Sequence, residues 1–391
     1  MKNDYHLKFD DTSVAFFSKS NRRLRKMHLL FTAMNYKWLM QIGNDVINFL
    51  LKIRVPIKGL IKHTVFEHFC GGEDLQESEE TINELAAFNI GAILDYSVEG
   101  AKNEAGFDQT ADEVLRTIAK AKATKHIPFS VFKFSGISSF AILEKIQKGT
   151  QLTEKELGYY AHVKQRVERL CKAAHDADVR LLIDAEETWV QDVIDAFVYQ
   201  MMARFNREKT IVYNTYQMYR SDMLENLKNA HALAEKEGYY LGAKLVRGAY
   251  MEKERDRAEE MKYESPIQPD KESTDRDFDA ALAFCVQNRK RISLCAGSHN
   301  EWSNSYLAEL LHKNKIEKND SEIYFAQLYG MSDNISFKLA KEGYNVVKYV
   351  PYGPVRAVLP YLYRRSQENS SVAGQSSREL SYIKKEIARR R

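Results

Sequence analysis

Cysteine is scarce in this 391-residue chain. The four present (Cys70, Cys171, Cys285, Cys295) lie far apart and form no CxxC or Cys/His ligand set. That excludes a disulfide framework or structural zinc and fits a reducing compartment. Neither sign of charge dominates: 58 Lys and Arg face 54 Asp and Glu, for a net charge of +4. Such a balance is too weak for a nucleic-acid-binding surface. No uncharged apolar run approaches membrane-span length, because Trp38 to Ile61 is broken by Asn44, Asp45, Lys52, Arg54 and Lys58. The opening MKNDYHLKFDD has early acids and no apolar core, so neither a secretory signal nor a transit peptide is expected. The Met1 start favours a cytoplasmic placement. No strand ends in GxGxxG, so the usual dinucleotide fingerprint is missing as well.

What is present is a globular composition, 44% hydrophobic and 29% charged. Residues 1–88 read as a helical region, with Leu24, Met27, Leu30, Met34 and Leu39 at helical spacing. From residue 89 to 375 short apolar runs alternate with longer amphipathic stretches. The expected strands are Ile90–Leu94, Phe129–Phe134, Arg180–Ile183, Ile211–Asn214, Gly242–Val246, Ile292–Ala296, Ile323–Ala326 and Asn345–Tyr349. A helical pattern follows each one. Strand–helix alternation implies parallel strands joined by crossovers. Eight units in this length fit a closed (β/α)8 barrel, with a doubly wound open sheet as the alternative. Residues 376–391 form a basic tail.

In a barrel of this kind, chemistry collects at the C-terminal ends of the strands. Those ends deliver Asp95 and Glu99, Lys133, Asp184-Ala185-Glu186-Glu187, Gln217, Lys244 with Arg247-Gly248-Ala249-Tyr250, Ser298-His299, Gln327-Leu328-Tyr329 and Tyr349. Each has an ordinary reading. Lys133 could snorkel from the wall, Asp184 could cap a helix, His299 could be a bonded loop histidine and Gly248 a turn residue. Lys133 is hardest to dismiss. An ammonium among Val131, Phe132 and Phe134 is costly without a buried partner, and Asp184 on the next strand is the nearest candidate. In Tyr361-Leu362-Tyr363-Arg364-Arg365-Ser366-Gln367-Glu368-Asn369, helical spacing puts Tyr361, Arg364, Arg365 and Glu368 on one face. Adjacent guanidiniums suit a small carboxylate.

The motifs KLVRGAY (Lys244–Tyr250), IDAEE (Ile183–Glu187), QLYGMSD (Gln327–Asp333), KYVPYGPV (Lys348–Val355) and YLYRRSQEN (Tyr361–Asn369) resemble, in order and spacing, those of proline dehydrogenase. The likeness extends to DYSVEG (Asp95–Gly100) and FDDTSVAF (Phe9–Phe16), and the chain looks like the monofunctional form.

The resemblance implies an FAD enzyme on a distorted (β/α)8 TIM barrel with an N-terminal helical extension. Such an enzyme oxidises L-proline to Δ1-pyrroline-5-carboxylate and passes electrons to a quinone. It implies that Arg364, Arg365 and Lys133 clamp the proline carboxylate, and that Tyr349, Tyr361 and Leu328 pack on the ring. Asp184 would orient Lys133. Ala185, Gln217, Lys244, Arg247, Gly248, Ala249, Ser298, His299 and Glu368 would hold FAD. Glu99 would close the site by pairing with Arg364. Many bacterial members carry Arg at the Lys244 position and some carry Trp at Met251, so this chain looks closer to the eukaryotic-type branch. A tyrosine at 349 favours proline over hydroxyproline.

Three other readings stand beside this one: a hydroxyproline dehydrogenase, a flavin barrel like methylenetetrahydrofolate reductase, and an inactive barrel that senses a metabolite. The basic stretch Ser377–Arg391 reads either as an amphipathic helix on the anionic inner membrane, near a quinone, or as a solvated helix end.

Overall fold

The computed structural model describes residues 5–34, 58–97, 103–371 and 375–391. Eight parallel strands close a barrel in chain order, as the alternation predicts. They are β1 (Ile90–Tyr96), β2 (Phe129–Lys133), β3 (Arg180–Asp184), β4 (Val212–Gln217), β5 (Leu241–Val246), β6 (Ile292–Gly297), β7 (Ile323–Leu328) and β8 (Val346–Tyr352). The seam is the β1–β8 pair, in register from Ile90↔Val346 to Tyr96↔Tyr352. Helices follow each strand, and their apolar faces form the main core against the outside of the barrel.

Side chains alternate across a strand, so one set in two points inward. Ile93, Phe129, Val131, Leu182, Tyr213, Cys295, Ala326 and Val347 fill the barrel interior. Gly242 makes room there, since a Cβ would lie 2.7 Å from the Tyr213 ring. Two residues further along the same strands come Asp95, Lys133, Asp184, Leu328 and Tyr349. The fold thus places a polar layer directly above an apolar one, at the C-terminal mouth.

A second core lies outside the barrel. Leu24, Phe31 and Met34 from the helix Asn21–Met34 pack with Phe66 and Phe69, with Val358, Tyr361 and Leu362, and with Leu380 and Ile383. It joins the N-terminal helices, the helix Leu359–Ser371 and the C-terminal helix Gln375–Arg389. Leu359–Ser371 carries the arginine pair, so this core fixes where the arginines stand. The chain entering β1 is also tied to the mouth, because the Gly71 amide donates to the Pro351 carbonyl at 2.8 Å.

The C-terminal helix does form, but its apolar side is spent inside the protein. Leu380 and Ile383 are buried in the second core. Arg389 and Arg390 pair with the fully buried Glu386, and Arg390 also donates to the Phe16 and Lys19 carbonyls. The lipid reading of this stretch needed a free apolar face and free cations, and the fold uses the face and part of the charge. Among the described residues no helix is long and apolar enough to cross a membrane.

Candidate active site

The mouth is organised by one carboxylate. Asp184, at the end of β3, accepts from Lys244 Nζ at 2.5 Å and from the Tyr349 hydroxyl at 2.8 Å. Lys133 Nζ stands 3.9 Å away. Burial acts to raise the Asp184 pKa, but Lys244, Lys133 and the tyrosine donor outweigh it and hold the group below its ordinary value. Asp184 is therefore a fixed anion. Tyr349 is pushed the other way, by burial and then by the Asp184 charge, and stays a neutral donor. Its ring lies under both cations, with Lys244 Nζ 4.9 Å and Lys133 Nζ 5.6 Å from the centroid.

Lys133 corrects the sequence reading. Its closer carboxylate is Asp95, at 3.2 Å, and not Asp184. Asp95 is itself buried and receives the Ser97 hydroxyl. Across the mouth the charges alternate: Asp95, Lys133, Asp184, Lys244. The sequence reading placed Asp95 at the rim but did not recognise it as the partner of Lys133.

The helix Leu359–Ser371 brings the arginine pair to this mouth. Arg365 is 8% exposed and its guanidinium lies 5.2 Å from the Tyr361 ring centroid. Arg364 is half-buried and contributes to the electrostatics of Tyr250, after β5. Arg365 does the same for His299, after β6. Both guanidiniums therefore act electrostatically on residues of the loops after β5 and β6. Leu328 is half-buried beside Tyr349, and Tyr361 is buried. Glu99 lies outside the described residues, and the side chain of Glu368 is not among those described.

The expected cofactor residues line β3 to β6. Arg247 is half-buried and fully ordered by protein: it bonds Asp275, Ser298 and Ser303, and stacks on Phe278 at 4.4 Å. Gly248 has φ +134°, and a Cβ there would lie 2.5 Å from the Tyr219 ring. Only glycine fits, and Gly248 and Ala249 stand exposed at the rim. Gln217 donates to the Glu186 carbonyl at 2.8 Å, and Ala185 is buried beside it. His299 Nδ1 meets the Ser332 hydroxyl at 2.9 Å. Burial first, then Lys348, Arg365, Arg378 and Arg247, hold His299 well below its usual pKa.

The sequence reading gave two buried groups no role. Lys348 is fully buried on the outer side of β8, bonded to Asp333 at 2.9 Å and to the Met331 and Leu328 carbonyls. It fixes the turn after β7. Glu186 is buried, accepts from the Ser135 amide and the Tyr250 hydroxyl at 3.0 Å each, and is pushed up to about 7 by burial and by Glu187. A charged residue inside an apolar run would have flagged Lys348, by the logic applied to Lys133. Among the described residues no His, Cys, Asp and Glu cluster could hold a metal.

Comparison with known proteins gives the family. The family model for proline dehydrogenase matches residues 78–378. A Dictyostelium discoideum protein named proline dehydrogenase 1, mitochondrial, is 32% identical over 97% of this chain and 74% of its own length. The carbapenem antibiotics biosynthesis protein CarD of Pectobacterium carotovorum is 33% identical, over 82% of this chain and 83% of its own. Homo sapiens proline dehydrogenase 1, mitochondrial, is 41% identical over 62% of this chain and 41% of its own. Among solved structures, proline utilization A from Bdellovibrio bacteriovorus superposes with a TM-score of 0.73 at 19% identity. That alignment covers 96% of this chain and 40% of the other, so this chain spans less than half of it.

Proposed function

The chain belongs to the proline dehydrogenase family, and from that premise we propose that it oxidises L-proline to Δ1-pyrroline-5-carboxylate with FAD, the electrons passing on to a quinone. The observation that carries the reading is the polarity of the mouth. A buried guanidinium closes one side, a neutral tyrosine stands in the middle, and a fixed carboxylate with two ammoniums forms the floor. A small zwitterion with one acid end and an apolar ring fits that sequence of groups.

The residues present also fit FAD. Four cations, Lys348, Arg365, Arg378 and Arg247, bear on His299 strongly enough to help hold it neutral. A field of that sign favours a pyrophosphate. The bare rim at Gly248 and Ala249 allows close approach of a ligand to backbone. Arg247, Ser298, His299 and Gln217 would be the polar contacts, and Lys244 the cation beside the ring system. When bound, FAD supplies the hydride acceptor and the store for two electrons.

The protein's own part is binding, aim and exclusion of water. Arg364 and Arg365 take the substrate carboxylate in charge-assisted bonds, with Lys133 as a third cation. Fixing that end aims C5 of the ring, which is proximity catalysis and sensitive to errors of about 1 Å. The Tyr349 hydroxyl is tied to Asp184, so its ring cannot swing aside, which disfavours a hydroxylated proline. Hydride leaves C5 while the unprotonated nitrogen pushes, and the nitrogen's proton is released to give the C=N bond. Lys244 and Arg247 favour negative charge on the reduced acceptor electrostatically. With Arg364 and Arg365 on the substrate carboxylate, the helix Leu359–Ser371 would close over the site and keep water from the imine.

Anaerobic titration of the FAD-loaded protein with L-proline tests the reading. Flavin absorbance should bleach with proline and far less with hydroxyproline. A protein that binds no FAD, or a flavin that proline does not bleach, refutes it.

A further inference from the structure

The C-terminal helix Gln375–Arg389 sends two consecutive residues to the loops after β6 and β7. Arg378 Nη2 donates to the His299 carbonyl at 2.9 Å. Glu379, 3% exposed, accepts from the Ser332 amide at 2.7 Å. Ser332 is fully buried and holds a left-handed backbone (φ 50°, ψ 44°) that a serine rarely adopts. Its hydroxyl meets His299 Nδ1. A carboxylate bonded to the backbone amide of a residue in that conformation offsets the strain, and the conformation decides where the hydroxyl points.

We propose that Glu379 is a positioning residue for the cofactor site: it clamps Ser332 in its left-handed turn so that the Ser332 hydroxyl holds Nδ1 and sets the tilt of the His299 ring. This rests on the flavin reading given above and extends it to a helix outside the barrel. A histidine's free nitrogen takes its role from the bond made by the other one. With Nδ1 held by Ser332, Nε2 on the opposite edge is the nitrogen that meets a ligand. The groups facing this cluster are Asp333, Lys348, Arg378 and Glu301, together with Arg365 and Arg247 from the mouth side. The far end of the same helix is tied to the N-terminal segment through Lys385 to the Asp10 carbonyl and Arg390 to the Lys19 carbonyl. The helix is therefore anchored independently of the residues it positions.

The test uses the full chain, E379Q, E379M and S332A. Gln keeps a carbonyl acceptor for the Ser332 amide and Met keeps length without one. S332A keeps the clamp and deletes the hydroxyl. FAD affinity is read by flavin fluorescence. His299 is read by nitrogen NMR of histidine-labelled protein, its signals assigned by their loss in H299Q. E379M and S332A should each weaken FAD by about tenfold, a lost buried hydrogen bond, and should shift the His299 nitrogen signals away from the parent's. E379Q should stay near the parent on both readouts. Unchanged His299 signals and FAD affinity in E379M overturn the proposal. Should E379M fail to fold, an S332A protein with parental signals overturns it equally. A parent that binds no FAD sinks the flavin reading instead, and the NMR comparison still decides the clamp.

Discussion

Replacing Glu186 with Gln should remove a pH dependence of stability that the parent protein carries. Glu186 is buried, Glu187 lies beside it, and its pKa is raised from 4.5 to about 7. Between those two values the folded chain binds more protons than the unfolded one, so stability falls as pH rises. Below about 4.5 the carboxyl is protonated in both states and nothing is lost. Above about 7 it is ionised in both, and the folded state carries the full penalty. A shift of about 2.5 units at 1.36 kcal/mol each gives roughly 3 kcal/mol. Gln keeps the acceptor for the Ser135 amide and cannot ionise. Urea unfolding of both proteins at about pH 5 and pH 8 measures the difference. Other buried acids titrate too, including Asp195, Glu254 and Asp279, whose pKa values are also raised. They cancel in the comparison of parent with variant. The parent should lose about 2.5 kcal/mol more than E186Q over that range, since part of the effect is already spent by pH 5. Parallel losses in the two proteins would refute the reasoning.

Two further substitutions probe the arginine pair and the turn after β7. R365A should raise KM for proline by at least about 30-fold, since removing one side of a buried charge contact costs about 2–5 kcal/mol. An unchanged KM in a folded, flavin-loaded R365A would contradict the carboxylate clamp. K348M should destabilise the protein by up to about 3 kcal/mol, because the buried Asp333 keeps only Lys19, 3.9 Å away, as a cation partner. The double variant K348M/D333N should recover part of that loss in urea unfolding; no recovery would mean that the ion pair is not the cause.

The barrel was legible because each strand's interior half is a short apolar run, and short runs between amphipathic helices have few other solutions. The ends were not. β1, β4, β7 and β8 run two or three residues past the expected limits, into Asp95-Tyr96, Thr215-Tyr216-Gln217, Gln327-Leu328 and Val350-Pro351-Tyr352. Pairing continues where hydrophobicity stops, because the mouth is polar. Phe134 starts a short helix instead of ending β2, and the sequence reading passed over the helices Phe140–Gln147, only two turns long, and Met251–Met261, which has little apolar surface. The arginine pair was legible because i, i+4 spacing is local. The second core was not, since Phe31, Leu362 and Ile383 meet only in space. For the same reason the partners of Lys133 and His299 could not be assigned from spacing.

The partner of Lys133 is where register and distance make different demands, and distance decides. Lys133 is directly paired with Asp184 in the β2–β3 register. Its ammonium nonetheless lies nearer Asp95, at 3.2 Å against 3.9 Å. At an effective dielectric of about 20 those separations correspond to roughly 5 and 4 kcal/mol. Asp184 is further committed to Lys244 and the Tyr349 hydroxyl. The two carboxylates should therefore separate by function. D95N should loosen Lys133 and leave Lys244 in place, raising KM for proline by about tenfold while flavin absorbance stays parental. D184N should also free Lys244, and so change the flavin spectrum together with KM. Steady-state kinetics and absorbance spectra of the two FAD-loaded variants distinguish the outcomes. A D95N protein with parental KM would return Lys133 to Asp184 and remove Asp95 from the substrate side of the mouth.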